Sequence, residues 1–96
     1  MRLTFSLQLF YDDNIIHNKY VSANAELFNK TAMQIFDLTI KELTNAGLMV
    51  ILNNHISSSM WCCSESDGEG LWWTPEYPEY KWLEVLKHFA SRYKDN

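Results

Sequence analysis

The sequence predicts an α/β unit in the order strand, loop, helix, strand, loop, helix. Three observations carry this: one segment with a period of two, two with a period near 3.6, and a short unbroken apolar run between the helices. Arg2 to Leu9 sets Leu3, Phe5, Leu7 and Leu9 against Arg2, Thr4, Ser6 and Gln8, the alternation of a strand. Residues 10–30 show no clean period and carry polar clusters, which predicts a long loop with one short helical turn near Ala25 to Phe28. Thr31 suits a helix N-cap, because its hydroxyl can accept from an unpaired first-turn N–H. Beyond it Ile35, Phe36, Thr39, Ile40, Leu43 and Ala46 recur at three- and four-residue steps, an amphipathic stripe that Gly47 closes.

Leu48 to Leu52 is apolar without interruption, as expected of a parallel strand buried on both faces. Strand–helix–strand crossovers are right-handed in about 98% of cases, so the two strands should lie parallel with the helix over one face. Ile56 to Glu79 reads as a second long loop, bounded by Pro75 and Pro78. From Glu79 to Tyr93, Trp82, Val85, Leu86, Phe89 and Tyr93 line one side of a final helix. Two strands leave both sheet edges open, so the unit is expected to fold poorly alone.

Composition narrows the classes. Apolar residues make up 47% of the 96, too many for a disordered tail. The net charge is −4 with acids and bases interspersed; no basic stripe exists to neutralise phosphates, which argues against nucleic acid. The Leu48 to Leu52 run is far below the ~20 residues that span a bilayer, so no membrane segment is expected. Met1 leads directly into a strand pattern rather than a basic start and an apolar stretch, so no signal peptide is expected in this chain. Either the protein is cytosolic, or Met1 is an internal residue of a longer chain.

The most informative stretch is residues 48–70, where an apolar strand delivers Asn53-Asn54-His55 into a loop rich in Trp, Cys and acids. That is how an active-site rim is built. Cys62 and Cys63 form no disulfide framework. They could bridge each other or pair with partners elsewhere. A zinc site with His55 is a third reading, weakened by the adjacent spacing and the want of a fourth ligand. Glu65, Asp67 and Glu69 read as a solvated acidic turn, and Gly68 and Gly70 as residues that permit turn dihedrals. Trp61, Trp72, Trp73, Tyr77 and Tyr80 are either flat platforms for a ligand or pins for the loop; Trp61 is assigned to the cleft, and Trp82, on the helix stripe, to the core. Asn29-Lys30-Thr31 fits the N-glycosylation acceptor pattern.

Trp61-Cys62-Cys63-Ser64 and Asp67-Gly68-Glu69-Gly70, with the His55 strand end, resemble the third strand and following loop of the family 5 glycoside hydrolases, the cellulase family. Arg2-Leu3-Thr4-Phe5-Ser6 resembles the second strand of the same (β/α)8 TIM barrel. A whole barrel needs roughly 250 residues, so the resemblance implies a fragment covering about the second and third βα units over residues 1–96. It implies metal-free, cofactor-free hydrolysis of a β-linked oligo- or polysaccharide with retention, and a secreted enzyme. The two catalytic Glu residues of the family lie at the ends of the fourth and seventh strands, neither of which is here, so the chain alone is expected to be inactive. Its site residues would be helpers. His55 would bind the sugar at the cleavage point, Trp61 would line the cleft, and Arg2 would hold the nucleophilic carboxylate ionised. Asn53 departs from the family, which usually has Asp there and so a charge this amide lacks. By alternation Asn54 should point away from Asn53 and His55, towards the helices. Two other classes stand beside this one: a carbohydrate-binding protein that does not cleave, and a thiol-active protein using Cys62 and Cys63.

Overall fold

The computed structural model describes residues 1–96. β1 (Arg2–Ser6) passes into a short helix α1 (Leu7–Tyr11), then two 3-10 turns at Asn18–Val21 and Ala25–Leu27. α2 (Ala32–Asn45), β2 (Ile51–Ile56) and α3 (Glu79–Arg92) follow. The strands pair in parallel with Arg2 opposite Ile51, Leu3 opposite Leu52, Thr4 opposite Asn53 and Phe5 opposite Asn54. They are the whole sheet. No helix is long and apolar enough to cross a membrane.

Two boundaries differ from the sequence expectation. β1 ends at Ser6 rather than Leu9, because the Ser6 hydroxyl caps α1 by accepting from Leu9 N–H at 3.1 Å. That bond gives the chain a helical alternative to further pairing. Leu7, expected on a strand, is instead the first helical residue and fully buried. The second strand is Ile51–Ile56 rather than Leu48–Leu52. α2 ends in a Schellman turn: Gly47, at φ 83°, donates to the Thr44 carbonyl at 2.9 Å, and Leu48 donates to Leu43 at 3.1 Å. Only glycine takes this left-handed conformation without steric cost. Residues 48–50 carry the chain out of that turn, so Asn53, Asn54 and His55 fall inside the strand.

The same run is not buried on both faces. Ile51 is 61% exposed and Met49 82% exposed, because α2 and α3 cover one side of the sheet and nothing covers the other. The N-terminus of α2 is held as expected and more firmly. Thr31 Oγ1 accepts from Gln34 N–H, and Gln34 Oε1 accepts in return from Thr31 N–H at 2.9 Å, a complete capping box.

The core is one cluster built from Phe5, Phe36, Ile40, Val85 and Phe89, with Leu7, Met33 and Tyr77 at its ends. Phe89 is central: its ring meets Phe5 edge-on at 4.8 Å and stacks on Phe36 at 5.6 Å. Such geometries follow the ring quadrupole and add to the area they bury. At the rim Asp37 of α2 accepts a forked pair of bonds from Arg92 of α3 and a third from the Tyr93 hydroxyl at 2.6 Å. Arg92 is the main reason the Asp37 carboxyl lies below its ordinary 3.8. Burial, helped by Asp37, pushes the Tyr93 phenol above its usual value.

Phe89→Ala removes the ring that joins strand and both helices and is expected to cost about 3–5 kcal/mol in urea denaturation. Asp37 supplies a pH test. A carboxylate depressed in the folded state stabilises above its unfolded pKa, and that contribution is lost as pH falls through the folded value. Stability should therefore decline below about pH 4, and Asp37→Asn should flatten that limb while costing on the order of 1 kcal/mol at neutral pH, since the pair is partly exposed.

Candidate functional site

Phe5 on the helix side fixes the parity of the sheet. Leu3 and Leu52 pack with it, so Arg2, Thr4, Ile51 and Asn53 occupy the opposite, uncovered face. His55 is the extra residue where the register shifts: Phe5 pairs with Asn54, but Ser6 pairs with Ile56. This bulge in β2 aims an exposed imidazole at the carboxyl ends of both strands, where parallel sheets place their sites. Nothing in the sequence marks the bulge.

Asn53 and His55 share the open face and touch, the Asn53 amide nitrogen donating to His55 Nδ1 at 3.3 Å. With the amide nitrogen assigned to this side, Nδ1 is the acceptor and the matching tautomer carries its proton on Nε2, which is left as a donor for a ligand. Asn54 points the other way. Its oxygen, assigned from its neighbours, accepts from Trp82 Nε1–H at 3.1 Å and its nitrogen donates to the Ile56 carbonyl at 3.2 Å. β2 is thereby tied to α3, and Trp82 sits with the core as the sequence suggested.

Serines and glutamines hold the loops to the strand ends. Ser6 and Ser59 hydroxyls meet at 2.6 Å, Ser59 N–H donates to Gln8 Oε1 at 2.7 Å, and Gln8 N–H donates to the Ser57 carbonyl at 3.0 Å. The acidic turn is not simply solvated, contrary to expectation. Glu69 is half-buried and accepts from Ser57 N–H at 2.9 Å and Ser58 N–H at 3.3 Å, taking up backbone donors left free at the end of β2. Asp67 Oδ1 accepts from Glu69 N–H at 2.9 Å, while Asp67 Oδ2 is buried without a partner. Gly68, at φ 78°, makes the turn between them. Only Glu65 remains a plain exposed acid. The side-chain-to-backbone turn at Asp67 was the available signal, but Glu69's reach back to Ser57 was not legible.

Three grooves border His55. The one of about 420 Å³ is lined by Asn53, Asn54, Glu69, Trp72 and Trp82 besides it. Two others flank it on the side of the Cys62 loop. One, of about 480 Å³, is lined by Thr4, Ser6, His55, Met60, Trp61 and Cys62. The other, of about 190 Å³, is lined by His55, Cys62, Cys63, Ser64, Asp67 and Glu69. Trp61 is 88% exposed over the larger of these two. Tyr77, by contrast, is buried in the core and pins the loop, with its backbone bonded to Thr74. Trp72 leans on Trp82 at 6.5 Å, and Tyr80 is exposed. Arg2 shares the open face but lines none of the three grooves. It stands opposite Ile51, four residues before His55 and so about 13 Å away along the strand.

Cys62 and Cys63 are bonded to each other, the first of the pairings the sequence allowed. The two sulfurs and the His55 ring lie within 4.8 Å of one another. Joined sulfurs offer no thiolate, the form that ligates zinc, so the bonded pair does not supply the ligands that the zinc reading needs. Asn29 is exposed at φ 61°, with its N–H bonded to Asn18 Oδ1.

The chain was compared with known proteins. An endoglucanase of Paenibacillus polymyxa is 33% identical over 100 residues, spanning 100% of this chain and 23% of the relative. A glycosyl hydrolase 5 family protein of Chamaecyparis obtusa is 32% identical over 72 residues, 75% of this chain and 13% of the relative. This chain resembles part of a family 5 glycoside hydrolase. A major extracellular endoglucanase of Xanthomonas campestris pv. campestris is 34% identical over 95 residues, 99% of this chain and 18% of that relative. The chain spans about a fifth of the length of these two endoglucanases. No family profile and no solved structure matches it.

Glu69→Ala should speed amide exchange at Ser57 and Ser58 about tenfold, with Glu69→Gln retaining most protection; unchanged exchange would mean that Glu69 does not hold the loop. Asn53→Asp replaces a donor by an acceptor and is expected to move the His55 proton from Nε2 to Nδ1. Nitrogen NMR of the ring reads this directly.

Proposed function

We propose that residues 1–96 are the second and third βα units of a (β/α)8 barrel in a retaining, cellulase-like family 5 glycoside hydrolase. The observation that carries this is the uncovered sheet face. A helix-covered parallel pair with an open polar face and two unpaired edges is what an arc of a closed barrel looks like, the open face being the barrel interior. The endoglucanase relatives supply the substrate class, a β-linked glucan, and the extracellular one among them points to secretion.

The chemistry is double displacement at an O-glycosidic bond by two carboxylates about 5–5.5 Å apart, one donating a proton and one attacking the anomeric carbon. Both Glu residues would come from strands outside this stretch. The residues here bind and orient: His55 Nε2–H donates to a sugar hydroxyl, Asn53 fixes the tautomer, Trp61 offers its face to the C–H side of a ring, and Arg2 supports the nucleophile from deeper in the barrel. Without the carboxylates the chain lacks proton donation and covalent catalysis together.

The 88% exposure of Trp61 favours one second reading, a protein that binds glycan without cutting it. A chimera separates the two. Replacing the matched 100-residue stretch of the Paenibacillus endoglucanase by this chain should give reducing-sugar release from a soluble β-glucan, and the 96-residue chain alone none. In the chimera His55→Ala should lower kcat/KM roughly 10- to 100-fold, the loss of one or two hydrogen bonds in the transition state. Turnover by the isolated chain would overturn the fragment reading. Saturable binding by a folded but inactive chimera would favour the binding protein.

A further inference from the structure

We propose that the Cys62–Cys63 disulfide is itself a sugar-contacting surface, an uncharged platform for the C–H face of one pyranose ring next to His55. The proposal rests on the glycan reading above and adds a subsite to it. Its first support is position. Cys62 lines two of the three grooves that His55 borders, so the disulfide forms the ridge between those two, with Trp61 on one flank and Asp67 on the other. A ligand seated against His55 in either of these two grooves meets the sulfurs, which lie within 4.8 Å of a nitrogen of its ring.

The second support is what this bond does not do. A disulfide stabilises a fold chiefly by closing a long loop in the unfolded chain, and the effect shrinks with loop length. Here the separation is one residue, so no distant segments are joined. Nor is the pair part of the core cluster. Its effect is local: it accompanies Cys63 at φ 78°, a region non-glycine residues seldom occupy and one that recurs at ligand sites.

The third support is chemical. Divalent sulfur is soft and polarisable, and it packs against carbon-bound hydrogens and ring faces without requiring a hydrogen-bond partner. Two free thiols could each rotate away, whereas bonded sulfurs stay where the ring must lie. A pyranose also presents hydroxyls at its rim, and the Asp67 carboxylate lines the second of these two grooves beside the disulfide. Apolar ridge, imidazole donor and carboxylate acceptor together match one sugar unit of an uncharged polymer.

The test uses the chimera carrying this chain, with cellohexaose as probe, in three forms: oxidised, phosphine-reduced, and Cys62→Ser with Cys63→Ser. In reduction the phosphine becomes its oxide with oxygen from water, and each sulfur gains one proton, so no group is added. Both altered forms are expected to raise KM roughly fivefold, the scale of one soft apolar contact. Equal KM in all three forms of an active chimera overturns the platform and leaves the glycosidase reading standing. A folded chimera that neither binds nor cleaves cellohexaose overturns both. If the double variant folds poorly by circular dichroism, the oxidised and reduced forms of the chimera decide by NMR saturation transfer to an uncleavable thio-linked cellohexaose. Transfer at least halved on reduction supports the platform; equal transfer, or none from either form, overturns it.

Discussion

The contact of Phe5 with Phe89, ring centres 4.8 Å apart, fixes the rest of the molecule. Because side chains alternate along a strand, a Phe5 committed to the helices commits Thr4 and Arg2 to the other side. The parallel register then carries that choice to β2, putting Asn54 beneath α3 and Asn53 in the open. A one-residue slip of β1 would expose the Phe5 ring and one of β2 would expose Leu52, which makes the register hard to change. The open face is therefore a consequence of where the core lies.

That core is small. Only 11 of 96 residues are buried, and large apolar side chains such as Met49, Ile51 and Leu71 stay more than half exposed. Domains near this size already bury a modest share of their surface, and a sheet with two open edges adds a template for association. Besides the Asp37–Arg92 tie between the helices, side-chain bonds gather at the carboxyl ends of the strands, where Ser6, Gln8, Ser57 and Glu69 fasten two loops around His55. The molecule is best braced beside the candidate site.

Much of this was legible in the residues. The period-two and period-3.6 segments gave element types and order, Thr31 and Gly47 marked the ends of α2, and alternation separated Asn54 from Asn53 and His55. What failed was decided by local hydrogen bonds that composition does not display. Ser6 turned from strand residue to helix cap, and the Schellman turn at Gly47 displaced β2 by three residues at its start. The expectation that Leu48 to Leu52 is buried on both faces failed for a different reason, the absence of anything packed on the second face. In the site, Trp61 and the Cys62–Cys63 pair were visible as motifs. The bulge at His55 and the grip of Glu69 on Ser57 and Ser58 are three-dimensional facts without a sequence signature.

The central claim is that the face carrying Asn53 and His55 looks into a glycan cleft rather than into solvent or a buried interface. A crystal structure of the chimera soaked with cellohexaose measures this most directly. The account expects a glucosyl unit over that face, with a hydroxyl within hydrogen-bond reach of His55 Nε2. A sugar bound elsewhere, with His55 packed beneath protein and out of its reach, would contradict it.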